Sequence, residues 1–214
     1  MSQQSQQDSG QKPSSPLPVD VHPESLSRLS PVNRETLTEK CKASYDEMVK
    51  LRAQGKNLAG LVGPSGIWIR IPVWGEHVAE LNRYLRNEIG LEPRLSELAI
   101  LASAREMDSQ FEWTMHEPEA LRVGIAQEVI DTVKFRRPVA DMPETEAAIV
   151  ELARETLGAK KLSAATYARA LGIFGEMGLL NLMALMANYA TSAIMLTAFD
   201  QQLRADQTPL LPLP

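Results

Sequence analysis

Apolar residues recur at helical spacing through most of this chain, and almost nowhere in the strict alternation that a half-buried strand requires. Between Val32 and Arg52, the residues Leu37, Cys41, Tyr45, Met48 and Leu51 fall on one side, which predicts a first amphipathic helix. Gly55, Gly60, Gly63 and Pro64 place a loop over 54–65. The segment GIWIRI (66–71) fits either a short helical turn or an extended piece. Pro72 suits the first turn of a helix reaching Asn87, with Gly90 just beyond its end. Pro93 opens the next helix, through about Met107. Asp108 and Ser109 are good N-caps for another, which carries Phe111 to Val123 and stops at Gly124. Pro118 lies inside that pattern and should kink it, or confine the regular part to its two sides. Further helices are expected over Ala126–Phe135, Pro143–Leu157, Ser163–Phe174 and about Glu176–Arg204, with RRPVADMP (136–143) as a linker.

The two ends read differently. Residues 1–31, beginning MSQQSQQDSGQKPSSPLP, hold too little apolar surface to offset the entropy of ordering, so a flexible N-terminal arm is expected. Residues 32–205 form one helical domain, long enough for a sizeable core. Residues 206–214, within DQTPLLPLP, are expected as an extended Pro-rich tail able to lie across a partner.

Composition narrows the function classes. Hydrophobic residues make up 44% and charged residues 23%, as in an ordinary globular protein. The net charge of −5 gives no electrostatic footprint for nucleic acid or an anionic membrane. The longest apolar stretch, Gly178–Phe199, is interrupted by Asn181, Asn188, Tyr189, Thr191 and Ser192. It reads as a buried core or interface helix and not as a membrane span of roughly 18 apolar residues. Cys41 is the single cysteine, which excludes an internal disulfide, a CxxC redox pair and a cysteine-based metal cluster. A lone cysteine and no secretory apolar region fit a cytoplasmic location. The expected partner is a small molecule, with no nucleic acid and no membrane.

The chemistry-bearing stretch is 92–124. Glu112 and His116 are spaced i, i+4 and stack on one helix face, with Ser109 two turns before His116. A His–carboxylate pair suits general acid–base work, because imidazole titrates near neutrality. The same spacing also describes a common solvated helix pair. Glu97 belongs to the preceding helix, among Leu95, Leu98, Ile100 and Leu101, so it is either on the wet side or buried for a purpose. Arg105 is a candidate fork for a substrate carboxylate, or else a structural ion-pair partner of Glu97 or Glu112. Trp113 is a substrate-lining or core residue. Tyr189 and Asn188 either enter a pocket or hydrogen-bond between helices. Two carboxylates and one imidazole can in principle hold a divalent ion, but no second histidine stands at motif spacing, so no metal and no cofactor are expected.

RLSELAIL (94–101), Ala104-Arg105, FEWTMH (111–116) and ALRVG (120–124), with the upstream GPSGIWIRIPVWGEHVAELNRYLR (63–86) and the downstream MANYATSAIMLTAF (186–199), resemble the carboxymuconolactone decarboxylase family, which includes the alkylhydroperoxidase-D-like proteins. The resemblance implies an all-α helical bundle that assembles as a homo-oligomer (dimer, trimer or hexamer), with sites near subunit contacts. In the peroxidase branch the motif is a glutamate, then CxxC, then three residues and a histidine. Laid on this chain, the glutamate falls at Glu97, the cysteines at Ser109 and Glu112, and the histidine at His116. Hydroxyl and carboxylate cannot cycle between dithiol and disulfide, so dithiol peroxidase chemistry is excluded. What remains resembles the decarboxylase-like branch: a cofactor-free acid–base enzyme acting on a small carboxylated or carbonyl-bearing molecule by decarboxylation, isomerisation or another lyase step. In that reading His116 moves the proton and Glu112 tunes or shares it. Glu97 orients the imidazole, Arg105 anchors an anionic group, and Trp113, Tyr189 and Ser109 contact substrate. The alternative is a non-catalytic helical oligomer, or a ligand-binding relative that kept the scaffold.

Overall fold

A computed structural model describes residues 17–54 and 61–214, without the side chains of Leu51, Arg52 and Pro72. The first sixteen residues of the expected arm, and 55–60 of the expected loop, lie outside the described residues. Among the described residues there are eight α-helices and no strand: α1 Glu39–Ala53, α2 Pro64–Trp68, α3 Pro72–Asn87, α4 Pro93–Glu106, α5 Gln110–Arg122, α6 Gln127–Lys134, α7 Glu144–Ala153 and α8 Ala164–Ala198. The protein is all-α, as the periodicity predicts.

The core is organised round α4. Every residue from Leu95 to Arg105 is buried. A helix buried on all sides, its few polar residues included, has no solvated face and becomes the centre of a bundle. α5, α6, α7 and α8 all pack against it. Leu98, Ile100, Leu101, Ile130, Ile149, Leu182 and Leu185 meet in one cluster with at most 1% exposure. A second cluster, around Ile67, Trp68, Val78, Phe111 and Leu196, ties α2 and α3 to the far ends of α5 and α8. Gly63 makes that approach possible. Its φ of 100° is left-handed, and a Cβ there would stand 2.5 Å from Phe111 Cζ.

Most boundaries follow the local signals, and three differences have physical causes. The ambiguous 66–71 segment is partly helical, because Pro64 starts α2 one turn earlier than the apolar run suggests. α5 continues through Pro118 with no break, and the proline costs it one amide donor. The break expected between the two C-terminal helices falls at Gly175 (φ 66°, ψ 175°), a kink inside α8, but α8 ends at Ala198, short of Arg204. Arg94, at the start of α4, pairs with the buried Glu146 of α7.

α8 also corrects the expectation that no apolar run reaches membrane-span length. By length and composition it is long enough to cross a bilayer, because its interruptions beyond Glu176 are polar but uncharged. Its most apolar window is only 28% buried within the protein. Met177, Leu180, Ala184, Ala187, Thr191 and Ile194 recur every three or four residues along its exposed face.

Both ends of the described chain fold back on the bundle. Arg28 N–H donates to Phe199 C=O at 2.8 Å, and Gln202 N–H donates to Leu26 C=O at 2.7 Å, so residues near 17–31 dock on the end of α8. The C-terminal tail runs back over α5 and α4. Leu211 is 5% exposed within the main core cluster, and Leu210 N–H donates to Thr114 Oγ1.

Candidate active site

α3 and α4 are joined by a short connector, so the last turn of α3 faces the first turns of α4. α5 returns alongside α4 after the tight corner at Asp108, which adopts φ 47°. These three helices and α8 bring together side chains far apart in sequence. Glu97 on α4 is 4% exposed. One of its oxygens accepts from Arg86 Nη2 at 2.9 Å, and the other lies 2.7 Å from Nδ1 of His116 on α5. Edge-on to the imidazole stands Tyr189 of α8, with ring centroids 5.2 Å apart and an interplanar angle of 84°.

This geometry assigns the imidazole's roles. A carboxylate held by a guanidinium has only acceptors to offer, so Nδ1 is the donor and carries the hydrogen. Nε2 is then left with its lone pair. No described hydrogen bond occupies it, and the His116 side chain keeps 14% of its surface exposed. The arrangement is an oriented base backed by a buried carboxylate.

Glu112 is placed differently from the expectation. Its side chain is on the same helix as His116, but no described hydrogen bond joins them. It is 3% exposed, and its Oε2 has no hydrogen-bond partner. Burial pushes its carboxyl well above the ordinary carboxylate range, and a contact with Ser109 pulls only partly the other way. Ser109 itself is the buried N-cap of α5. Burial likewise raises the Tyr189 hydroxyl above its ordinary value. The nearby Arg86 guanidinium opposes that shift, while Glu97 and Glu112 add to it.

Two of the expected substrate contacts lie elsewhere. Arg105 is 5% exposed, donates to the carbonyl of Pro212 in the C-terminal tail at 2.8 Å, and pairs with Asp108 at 3.3 Å. Its ion-pair partner is therefore neither Glu97 nor Glu112. Trp113 is fully buried in the core, where its indole N–H donates to Glu117, itself paired with Lys134 at 2.8 Å. Asn188 hydrogen-bonds between helices, donating to Asn82 of α3 at 2.5 Å. Arg86 is the residue that sequence reasoning missed. Its signal was readable: a basic residue in the last turn of a helix joined by a short loop to the helix that carries Glu97.

Among the described residues, no three His, Cys, Asp or Glu side chains are grouped as a metal-ligand set. A cavity of about 910 Å³ lies between α1 and α3, bordered by Cys41, Met48, Trp68, His77 and Asn82. Glu97, Glu112 and His116 do not line it.

The span that carries this constellation is also the one that resembles a known family. Residues 72–155, from the start of α3 to just past α7, match the model of the carboxymuconolactone decarboxylase family. Over that span the chain is similar to the carboxymuconolactone decarboxylase family. Arg86, Glu97, Glu112 and His116 all lie within the matched span, and Tyr189 lies beyond it. The fold is that of an alkylhydroperoxidase AhpD core. The chain matches the crystal structure of such a core, an uncharacterized peroxidase-related protein from Ralstonia eutropha JMP134, with a TM-score of 0.60 over 86% of this chain and 94% of that one. At 15% identity the likeness is one of fold. No curated protein matches the chain in sequence.

Proposed function

We propose that this chain is a cofactor-free acid–base enzyme acting on a small carboxylated or carbonyl-bearing organic molecule, by decarboxylation, isomerisation or a related lyase step. One observation carries the reading: the Glu97 carboxylate holds Arg86 on one oxygen and His116 Nδ1 on the other, which leaves Nε2 as an oriented base. In this mechanism Nε2 removes a proton from a carbon next to a carbonyl. The electron pair of that C–H bond moves onto the carbonyl oxygen as an enolate, and Glu97 stabilises the imidazolium. The same imidazolium then returns the proton to carbon. Burial pushes the Glu112 carboxyl toward its protonated form, which limits the negative charge it brings beside Tyr189. Dithiol peroxide reduction has no place in this reading, since the only cysteine is Cys41 on α1, outside α4 and α5.

The test is solvent deuterium incorporation, followed by NMR, into small carboxylated ketones and lactones, alongside carbon dioxide release. Wild-type protein is expected to accelerate exchange on at least one compound. His116→Gln should lose roughly 10²–10⁴-fold of that rate. Glu97→Gln should lose a smaller but clear part of it, because a neutral amide cannot stabilise the imidazolium. Full turnover in both His116→Ala and Glu112→Gln ends the proposal.

The cavity between α1 and α3 favours a second reading, a ligand-binding relative on the same scaffold. Saturable ligand binding that responds to Trp68→Ala but not to His116→Gln, with no exchange activity, would support it instead.

A further inference from the structure

The expected anion anchor, Arg105, is buried and turned toward the tail carbonyl of Pro212 and Asp108 on the α4–α5 corner. Arg86 is placed otherwise. Its side chain is 42% exposed although its partner Glu97 is buried, so the guanidinium sits at the mouth of the pair and not behind it. A guanidinium has five N–H donors and no acceptor. One of them is spent on Glu97. Arg86 and His116 are held by the two oxygens of a single carboxylate, so whatever docks on the remaining edge of Arg86 stands beside His116.

Tyr189 completes the mouth. It packs edge-on against His116 and lies near Arg86. Because Arg86 can only donate, the tyrosine oxygen is its acceptor, and the phenolic proton is free to be given to a third group. Glu119 and Arg122, the other charged groups close by on α5, are paired with each other and leave the mouth without surplus negative charge.

We propose that the free edge of Arg86, together with the Tyr189 hydroxyl, is the seat for the carboxylate of the substrate, and that it sets the reactive carbon against His116 Nε2. The proposal rests on the acid–base reading of Glu97 and His116, and narrows its substrate class to carboxylic acids. One carboxylate oxygen takes the guanidinium edge and the other takes the phenol. A neutral amide of the same shape forfeits the charge-assisted bond and is discriminated against.

The probe is succinate, compared with its neutral isostere succinamide. Binding is read from the ring C–H resonances of the histidines in full-length protein at fixed pH. There are three histidines, and the His116 signal is the one missing from His116→Gln. Succinate is expected to shift the His116 resonance saturably in wild type, and succinamide to leave it in place. Arg86→Gln should weaken succinate at least about tenfold. Arg86→Lys, which keeps a charge for Glu97, should fall between the two, and Tyr189→Phe should lose a smaller factor.

Equal binding of succinate and succinamide overturns the seat. So does undiminished succinate binding in Arg86→Gln, or no succinate binding at tens of millimolar. Charge-selective binding that depends on Arg86 sustains the seat even if no carbon acid is exchanged, in which case the acid–base reading alone fails.

Discussion

Glu112 is a buried carboxyl whose second oxygen finds no partner, and this has a measurable consequence for stability. In the folded state burial raises its pKa above the ordinary glutamate value of 4.5. Between the unfolded and folded values the native chain binds the extra proton and the unfolded chain does not, so stability falls as pH rises through that window. Below about pH 4 both states are protonated and the residue contributes no pH dependence. Glu112→Gln keeps the shape and removes the ionisation. Its stability relative to wild type should therefore be higher at pH 8 than at pH 4, measured by urea unfolding at several pH values. A constant difference across that range would contradict the assignment. That a glutamate stood here beside a histidine was legible in the residue order. That it would be sealed, with its carboxyl pushed upward, was not, because burial depends on how the helices pack, which the i, i+4 spacing does not describe.

At the level of elements, α4 and α8 make opposite uses of apolar residues. Leu101 on α4 is fully buried, and Leu101→Ala should cost about 2–5 kcal/mol in urea or thermal unfolding. Leu180 on α8 is 57% exposed, and Leu180→Ala should change stability by no more than about 0.5 kcal/mol. If the two cost the same, the central place of α4 is wrong. Most helix starts were readable from Pro72, Pro93, Ser109 and Ser163, since N-terminal signals act within one turn. The continuity of α5 through Pro118 was not. A proline forbids one hydrogen bond, and whether the helix survives that loss depends on the packing on its other faces. Thr114, one turn earlier, is itself held against the tail through Leu210.

For the whole molecule, the C-terminal tail acts as a strap. It buries Leu211 in the main cluster and supplies the Pro212 carbonyl to Arg105. Burying one leucine contributes about 1.5–3 kcal/mol. Removing residues 206–214 should then lower the melting temperature by roughly 4–10 °C in a chain of this size. Leu211→Ser should account for most of that drop. An unchanged melting temperature would mean that the strap is not seated in solution. The composition of the tail predicted an extended segment and left open what it lies across. In the structure that surface is the protein's own α4 and α5, and in taking it the tail occupies the arginine that sequence reasoning assigned to substrate.

By itself the amino-acid order determined the helical class, the positions of nearly every helix, the loss of dithiol chemistry and the identities of Glu97 and His116. Periodicity, caps and residue chemistry are local properties, written within a few positions of where they act. Only the tertiary structure decided that Glu97 bridges His116 to Arg86, that Tyr189 closes the group and that Arg105 and Trp113 are turned into the core. Those contacts join helices whose relative placement depends on connector lengths, on the burial of α4 and on where the tail comes to rest. No spacing along a single helix encodes these.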